Sequence, residues 1–113
     1  MPKYTLRFRA VNKDIFLNIK SGRKTVETRA ASEKYRNIQS GDSVVLVCGK
    51  DRFQKKVKKA KIFTTVRSLL RAYNLKRIMS ELNSEKEWQE ELYKYPNYKE
   101  KIKKFGLIAL ELK

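Results

Sequence analysis

Tyr4, Leu6 and Phe8 alternate with Thr5, Arg7 and Arg9 at the start of the chain, the two-residue period of a strand with one face in a core and one in water. The period then lengthens. Ile15, Phe16 and Ile19 fall on one face of a helix over residues 13–21, with Asn12 placed to cap it and Gly22 suited to the left-handed turn that closes it. "TVETR" returns to strand spacing: Thr25, Glu27 and Arg29 point one way, Val26 and Thr28 the other, with Val26 as the core anchor. A polar loop leads to the turn Gly41-Asp42 and the apolar run "SVVLVC", short and β-branched, which predicts a buried strand.

Gly49-Lys50-Asp51 has the composition of a hairpin connection. In the returning segment "RFQKKVKKAKIF", Phe53 and Val57 share one parity while Ala60 and Ile62 share the other, so a bulge near Lys58 and Lys59 is expected. Thr64 or Thr65 can start a helix carrying Val66, Leu69, Leu70 and Tyr73. Ile78, Met79 and Leu82 suggest a further helical turn or two. Ser84 and Glu87 form a capping-box pattern ahead of a helix that presents Trp88 and Leu92 and ends before Pro96. "FGLIALEL" closes the chain as a strand with Ile108, Leu110 and Leu112 on one face. Strands in runs with helices inserted predict an α+β fold, its sheet mostly antiparallel and barrel-like, formed as one domain over residues 1–113.

Composition then narrows the chemistry. With 41% apolar residues the chain can fill a core of its own. Cys48 is the single cysteine and histidine is absent, which excludes an intrachain disulfide, a Cys/His zinc site and any histidine-based triad or acid–base mechanism. Cys48 lies in an apolar strand and reads as a buried thiol rather than a nucleophile. No dinucleotide or P-loop signature is present, and no cofactor or metal is expected. The opening residues lack the apolar run of a signal peptide, and no stretch is long enough to span a bilayer. A cytoplasmic protein without a membrane partner is the expectation. The formal net charge of +16 points to a polyanion, RNA or a nucleotide first, with an acidic protein as the alternative partner.

Two stretches concentrate that charge. In "GRKTVETR" a glycine lets the backbone turn, which is expected to bring Lys24 to the rim of the sheet, and Glu27 and Arg29 project side by side from one face. A cation for phosphate beside a carboxylate for an amino or hydroxyl hydrogen suits a nucleotide. The alternative is a plain ion pair across the sheet. The second stretch carries Lys50, Arg52, Lys55, Lys56, Lys58, Lys59 and Lys61, either a ridge that tracks a phosphate backbone or a charged edge strand that blocks aggregation. Tyr35, Phe53 and Tyr98 are candidate stacking aromatics.

Gly22-x-Lys24-x-x-Glu27-x-Arg29 resembles the GxKxxExR motif of the ASCH family, and "IQSGDSVVL" and "ELYKYPNYKEKIKKFGLIALELK" resemble the turn, helix end and closing strand of its small archaeal-type members. The resemblance implies a PUA-like β-barrel with flanking helices and a cleft for RNA or a nucleotide beside the motif. It implies that Lys24, Glu27 and Arg29 line that cleft, with Gly22 shaping the turn; Arg23 is added by adjacency. Lys55, Lys56, Lys58 and Lys59 join the nucleic-acid-binding set on charge. Some ASCH relatives are amidohydrolases that release the acyl group of N4-acetylcytidine, and others cleave RNA, which makes Lys24 and Glu27 candidate catalytic residues. The amidohydrolases place a threonine where this chain has Glu27, a departure that keeps binding ahead of hydrolysis. A basic protein-interaction module is the remaining alternative.

Overall fold

The computed structural model describes residues 3–113. β1 (Lys3–Phe8) leads through a 3-10 turn (Ala10–Asn12) into α1 (Lys13–Ser21), which Gly22 ends in the left-handed conformation, φ 86°. β2 (Val26–Ala30) follows, then β3 (Ser43–Cys48) and the long β4 (Asp51–Phe63). Four helices come next: α2 (Val66–Ala72), α3 (Leu75–Ile78), α4 (Glu85–Tyr93) and α5 (Tyr98–Phe105). β5 (Leu107–Leu112) closes the chain.

The sheet order is β1-β3-β4-β5-β2. β1 runs parallel to β3, and the other three pairings are antiparallel. β4 is long enough to serve two partners: residues 51–56 pair with β3 and residues 57–63 with β5. The register shifts between Val57 and Lys59, so Lys58 is the extra residue of the expected bulge. There β4 bends, as a bulged strand does, and the five strands curl into a half-barrel.

Alternation along the strands creates two cores. Ile108, Leu110 and Leu112 of β5 join Leu6, Val44, Leu46 and Val57 inside the curl, covered by Phe16 and Ile19 of α1. Leu107 and Ala109 point the other way and pack with Val26, Phe63, Leu69, Ile78 and Trp88 under α2–α5. Val26 is therefore the anchor expected of it, in the helical core rather than the barrel core. Each fully buried side chain of this size contributes about 1.5–3 kcal/mol.

The caps follow the sequence, with adjustments. Thr65 Oγ1 accepts from the Ser68 N–H while Ser68 Oγ accepts from the Thr65 N–H, a reciprocal box. Ser84 accepts from the Glu87 N–H as expected, but Glu87 reaches past it to the Asn83 N–H. Asn12 stands at the start of α1 without a capping bond, because a 3-10 turn already enters the helix. The helical turn expected around Ile78, Met79 and Leu82 lies earlier, as α3 over Leu75–Ile78, with Met79 and Leu82 outside it. Gly106, φ 79°, links α5 to β5 where a Cβ would collide with the Phe63 carbonyl. β4 sits in the middle of the strand order, with β1 and β2 at its ends, yet each half of β4 pairs on one side only, so the cationic segment keeps an edge along its other side.

Candidate nucleotide cleft

β2 is an edge strand, so half of its backbone groups lack a strand partner. Leu112 N–H donates to the Thr25 carbonyl and Ala31 N–H to the Gly106 carbonyl, so in an antiparallel ladder the odd residues face β5 and residues 26, 28 and 30 face the open edge. Three side chains occupy that edge. Lys24 Nζ donates to the Val26 carbonyl at 3.0 Å, Glu27 Oε1 accepts from the Thr28 N–H at 3.1 Å, and the Tyr98 hydroxyl accepts from the Ala30 N–H at 3.2 Å. The motif residues protect an edge that would otherwise pair with another chain.

Lys24 is 4% exposed, a correction to its expected place at the rim. Its ammonium has three N–H donors, and their partners are the Val26 carbonyl, the Ile78 carbonyl at the end of α3, and Glu27 Oε1 at 3.4 Å. Lys24 thereby fastens α3 onto β2. Burial pushes its pKa below the ordinary lysine value, with Glu27 acting in the opposite sense and Arg29 adding to the depression. Glu27 also faces a second cation, accepting from Arg29 Nε on Oε2 at 3.2 Å.

Glu27 and Arg29 share a face, as expected, but it is the inner one: their register partners Leu110 and Ile108 belong to the barrel core. Arg29 lies between the two edge strands. Its Nη2 donates to the Arg7 carbonyl of β1 at 3.2 Å, Nη1 reaches the Tyr35 hydroxyl at 3.5 Å, and the guanidinium stacks 4.8 Å from the Phe8 ring centre. One side chain thus bridges the open side of the half-barrel. Burial alone would lower its pKa, but Glu27, with Tyr35 and Tyr98, brings it above the ordinary arginine value.

Beside this triad opens a cleft of about 770 Å³. It is lined by Lys24, Glu27, Thr28 and Arg29 of the motif, by Phe8, Arg9 and Ile15 between β1 and α1, and by Leu82, Trp88, Tyr95 and Tyr98 of the helical layer. Arg7, Lys94 and Lys101 stand at its border. Lys94 is paired with Glu91 at 2.9 Å, whereas Arg7 and Lys101 form no ion pair among the described residues. Arg9 packs 5.7 Å from the Tyr95 ring centre. Burial raises the pKa of both Tyr95 and Tyr98, so both phenols hold their protons at neutral pH. Tyr98 accepts a bond from Ala30, which leaves its own O–H free to donate into the cleft.

Other expected site residues lie elsewhere. Gly22 makes the turn and Arg23 is exposed, and neither borders the cleft. Lys55, Lys56, Lys58 and Lys59 are on β4, separated from β2 by β5. Phe53 is tied up against Phe16, and Tyr35 against Arg29. Sequence reasoning misses Arg7, Arg9, Thr28, Trp88 and Tyr95 as cleft residues. Only the alternation in "RFRA" carries a signal for the first two. Cys48 is buried, its thiol toward the Arg9 carbonyl at 3.8 Å. No helix among the described residues is long and apolar enough to cross a membrane, and no group of three or more His, Cys, Asp or Glu among them is placed to hold a metal ion.

The fold is shared. The crystal structure of hypothetical protein PH0355 superposes with a TM-score of 0.85 at 24% identity, over 99% of this chain and 98% of that one. The solution structure of protein PF0455 from Pyrococcus furiosus gives 0.76 at 24% identity, over 99% and 96%. At this identity the likeness establishes the fold, a small α+β domain of the same extent. No protein-family model and no curated protein matches the chain.

Proposed function

We propose that the chain is an ASCH-like, PUA-like domain that binds a nucleotide unit of RNA in the cleft beside β2. The observation that carries this reading is the set of groups at one aromatic-walled cleft: the Tyr98 O–H, the cations Arg7 and Lys101 without an ion pair among the described residues, and Arg9 packed on the Tyr95 ring. A base takes the aromatic side and the phosphate the cationic border. The motif cations have a different part in this reading. Lys24 and Glu27 have their hydrogen bonds committed within the protein, so they shape the cleft and do not read phosphate. The same commitment argues against hydrolysis, since moving a proton through Lys24 first requires breaking its contact with α3, and through Glu27 its bonds to Thr28 and Arg29.

Trp88 is the chain's single tryptophan and lines the cleft, so its fluorescence reports occupancy. Titration with the four 5′-ribonucleoside monophosphates and with a short oligoribonucleotide is expected to change Trp88 emission saturably. Tyr98→Phe keeps the ring and removes the donor, and is expected to weaken binding by about 1 kcal/mol, roughly five- to tenfold. No change in emission with any of these ligands at millimolar concentration overturns the reading.

A further inference from the structure

The strand register divides the cations of β4 in a way the sequence does not. Across β1, β3 and β4 the aligned residues are Lys3–Ser43–Lys56, Thr5–Val45–Gln54 and Arg7–Val47–Arg52. These rows alternate with the core-facing rows Tyr4–Val44–Lys55 and Leu6–Leu46–Phe53, so they lie on the outer face of the sheet. Lys55 belongs to the opposite face, Lys58 is the bulge, and Lys59 and Lys61 share the face of Glu111 and Ala109.

The outer face has a cation at each corner of a rectangle, Lys3, Lys56, Arg7 and Arg52, all exposed. From ordinary strand rise and spacing it measures roughly 13 Å along the strands and roughly 10 Å across. No carboxylate stands among the nine positions. None of the four cations forms an ion pair or a side-chain hydrogen bond among the described residues. The segment of α4 and α5 differs: between residues 81 and 104 six carboxylates stand among six lysines, so no comparable run of unopposed cations forms there.

We infer that the outer face of β1, β3 and β4 is a second binding surface, meeting the cleft at Arg7, that holds the sugar–phosphate backbone of RNA. Unpaired cations with no intervening carboxylate complement a phosphodiester chain, which needs positive charge and small polar donors and no deep pocket. The occupant is not a membrane, because among the nine described positions of the face Val45 and Val47 are the only apolar side chains and both are half-buried, too small to insert among lipids. An acidic protein fits poorly for the same reason, since stable protein contacts depend on large anchoring side chains. RNA is favoured over DNA because Thr5 and Gln54, in the central row, both donate and accept hydrogen bonds, as the 2′-hydroxyl does.

The test compares two double variants that remove equal charge, Arg52→Gln/Lys56→Gln on this face and Lys86→Gln/Lys99→Gln on the helical side. Affinity for a fluorescent 12-nucleotide oligouridylate is measured by anisotropy as salt is varied, with urea midpoints checking that both variants fold. The log–log salt slope is expected to fall in magnitude by about 1.4 in the first variant, about 0.7 for each phosphate no longer neutralised, with at least a tenfold weaker affinity at low salt. The second variant is expected to keep the wild-type slope. Equal slope changes in both overturn the proposal, as does equal affinity for oligodeoxythymidylate, polyglutamate or anionic vesicles. Mononucleotide binding reported by Trp88 should be unchanged in the first variant, so failure of the cleft reading and failure of this one give different results.

Discussion

"GRKTVETR" and "RFQKKVKKAK" look alike in sequence, each a run of cations broken by a valine, and they end in opposite environments. The first is folded inward: Lys24 and Glu27 are buried and Arg29 largely so, and their polar atoms are used by Val26, Thr28, Ile78 and Arg7. The second lies along β4 with its lysines exposed except half-buried Lys55 and, apart from Lys61 over the Phe63 ring, without a described side-chain partner. The difference comes from what packs beside each strand: α3 and α5 close on the free side of β2 through Ile78 and Tyr98. The free backbone groups of β2 are met by Lys24, Glu27 and Tyr98, so its neighbouring side chains are drawn in; each half of β4 also pairs on one side only, with β3 or with β5, but none of its lysines turns back onto the strand among the described residues. Charge density in a sequence therefore does not rank residues for ligand binding. Unspent hydrogen-bonding capacity does.

The largest expected effect is on the triad. Glu27→Gln leaves Lys24 and Arg29 facing each other in a buried site without their carboxylate, and is expected to destabilise the fold by about 3–5 kcal/mol in equilibrium urea unfolding. Lys24→Met keeps the Glu27–Arg29 pair but leaves the Val26 and Ile78 carbonyls without a donor, for an expected destabilisation of about 2–4 kcal/mol. Either variant unfolding with the wild-type midpoint would break the comparison from its buried side.

Much of this architecture is legible in the chain. The strand and helix periods, the Gly22 stop, the β4 bulge and the β5 faces all follow from local spacing, which reports which residues share a side. Spacing does not report which side is inside. Glu27 and Arg29 share a face by parity, yet only the pairing of β2 with β5 aligns them with Leu110 and Ile108 and turns them into the half-barrel. A lysine beside a glycine turn usually finds water, which is why the sequence points Lys24 to a rim. The carbonyl that captures it belongs to Ile78, 54 residues away, and no local pattern carries that contact. α5 is hidden although Tyr98, Ile102 and Phe105 have helical spacing, because Tyr95-Pro96 directly before them has the composition of a loop leading into the last strand. The cleft itself joins β1, β2 and the α3–α5 layer, so its aromatic wall is a property of the tertiary fold.

A smaller effect concerns a contact on the other face of β5. Tyr73 donates to Glu111 at 2.6 Å, and Arg77 reaches Glu111 at 3.3 Å. Burial, then the bond to Glu111, hold the Tyr73 phenol up at about 12 against an ordinary value of 10.0. The folded chain thus keeps a proton that the unfolded chain releases above pH 10, so the associated stability is intact below pH 10 and is lost as pH rises towards 12. Glu111 is lowered, first by the Tyr73 bond, so its contribution is present above the ordinary value of 4.5 and is lost as pH falls below it. Tyr73→Phe is expected to flatten the alkaline limb of a stability–pH curve, and an unchanged limb would assign the titration elsewhere.

The smallest effect is expected on β4. Lys56→Ala and Lys58→Ala should each leave unfolding within about 0.5 kcal/mol of wild type, as surface substitutions without partners do. A destabilisation of several kcal/mol at either position would erase the contrast with Lys24.

The central claim is that Lys24 and Glu27 act on each other inside the fold, and a double-mutant cycle in equilibrium urea unfolding measures this directly. With Lys24→Met, Glu27→Gln and the double variant, the account predicts a coupling energy of at least about 1 kcal/mol, within the range of contacting buried groups. Additivity to within about 0.3 kcal/mol, the behaviour of independent sites, would contradict it.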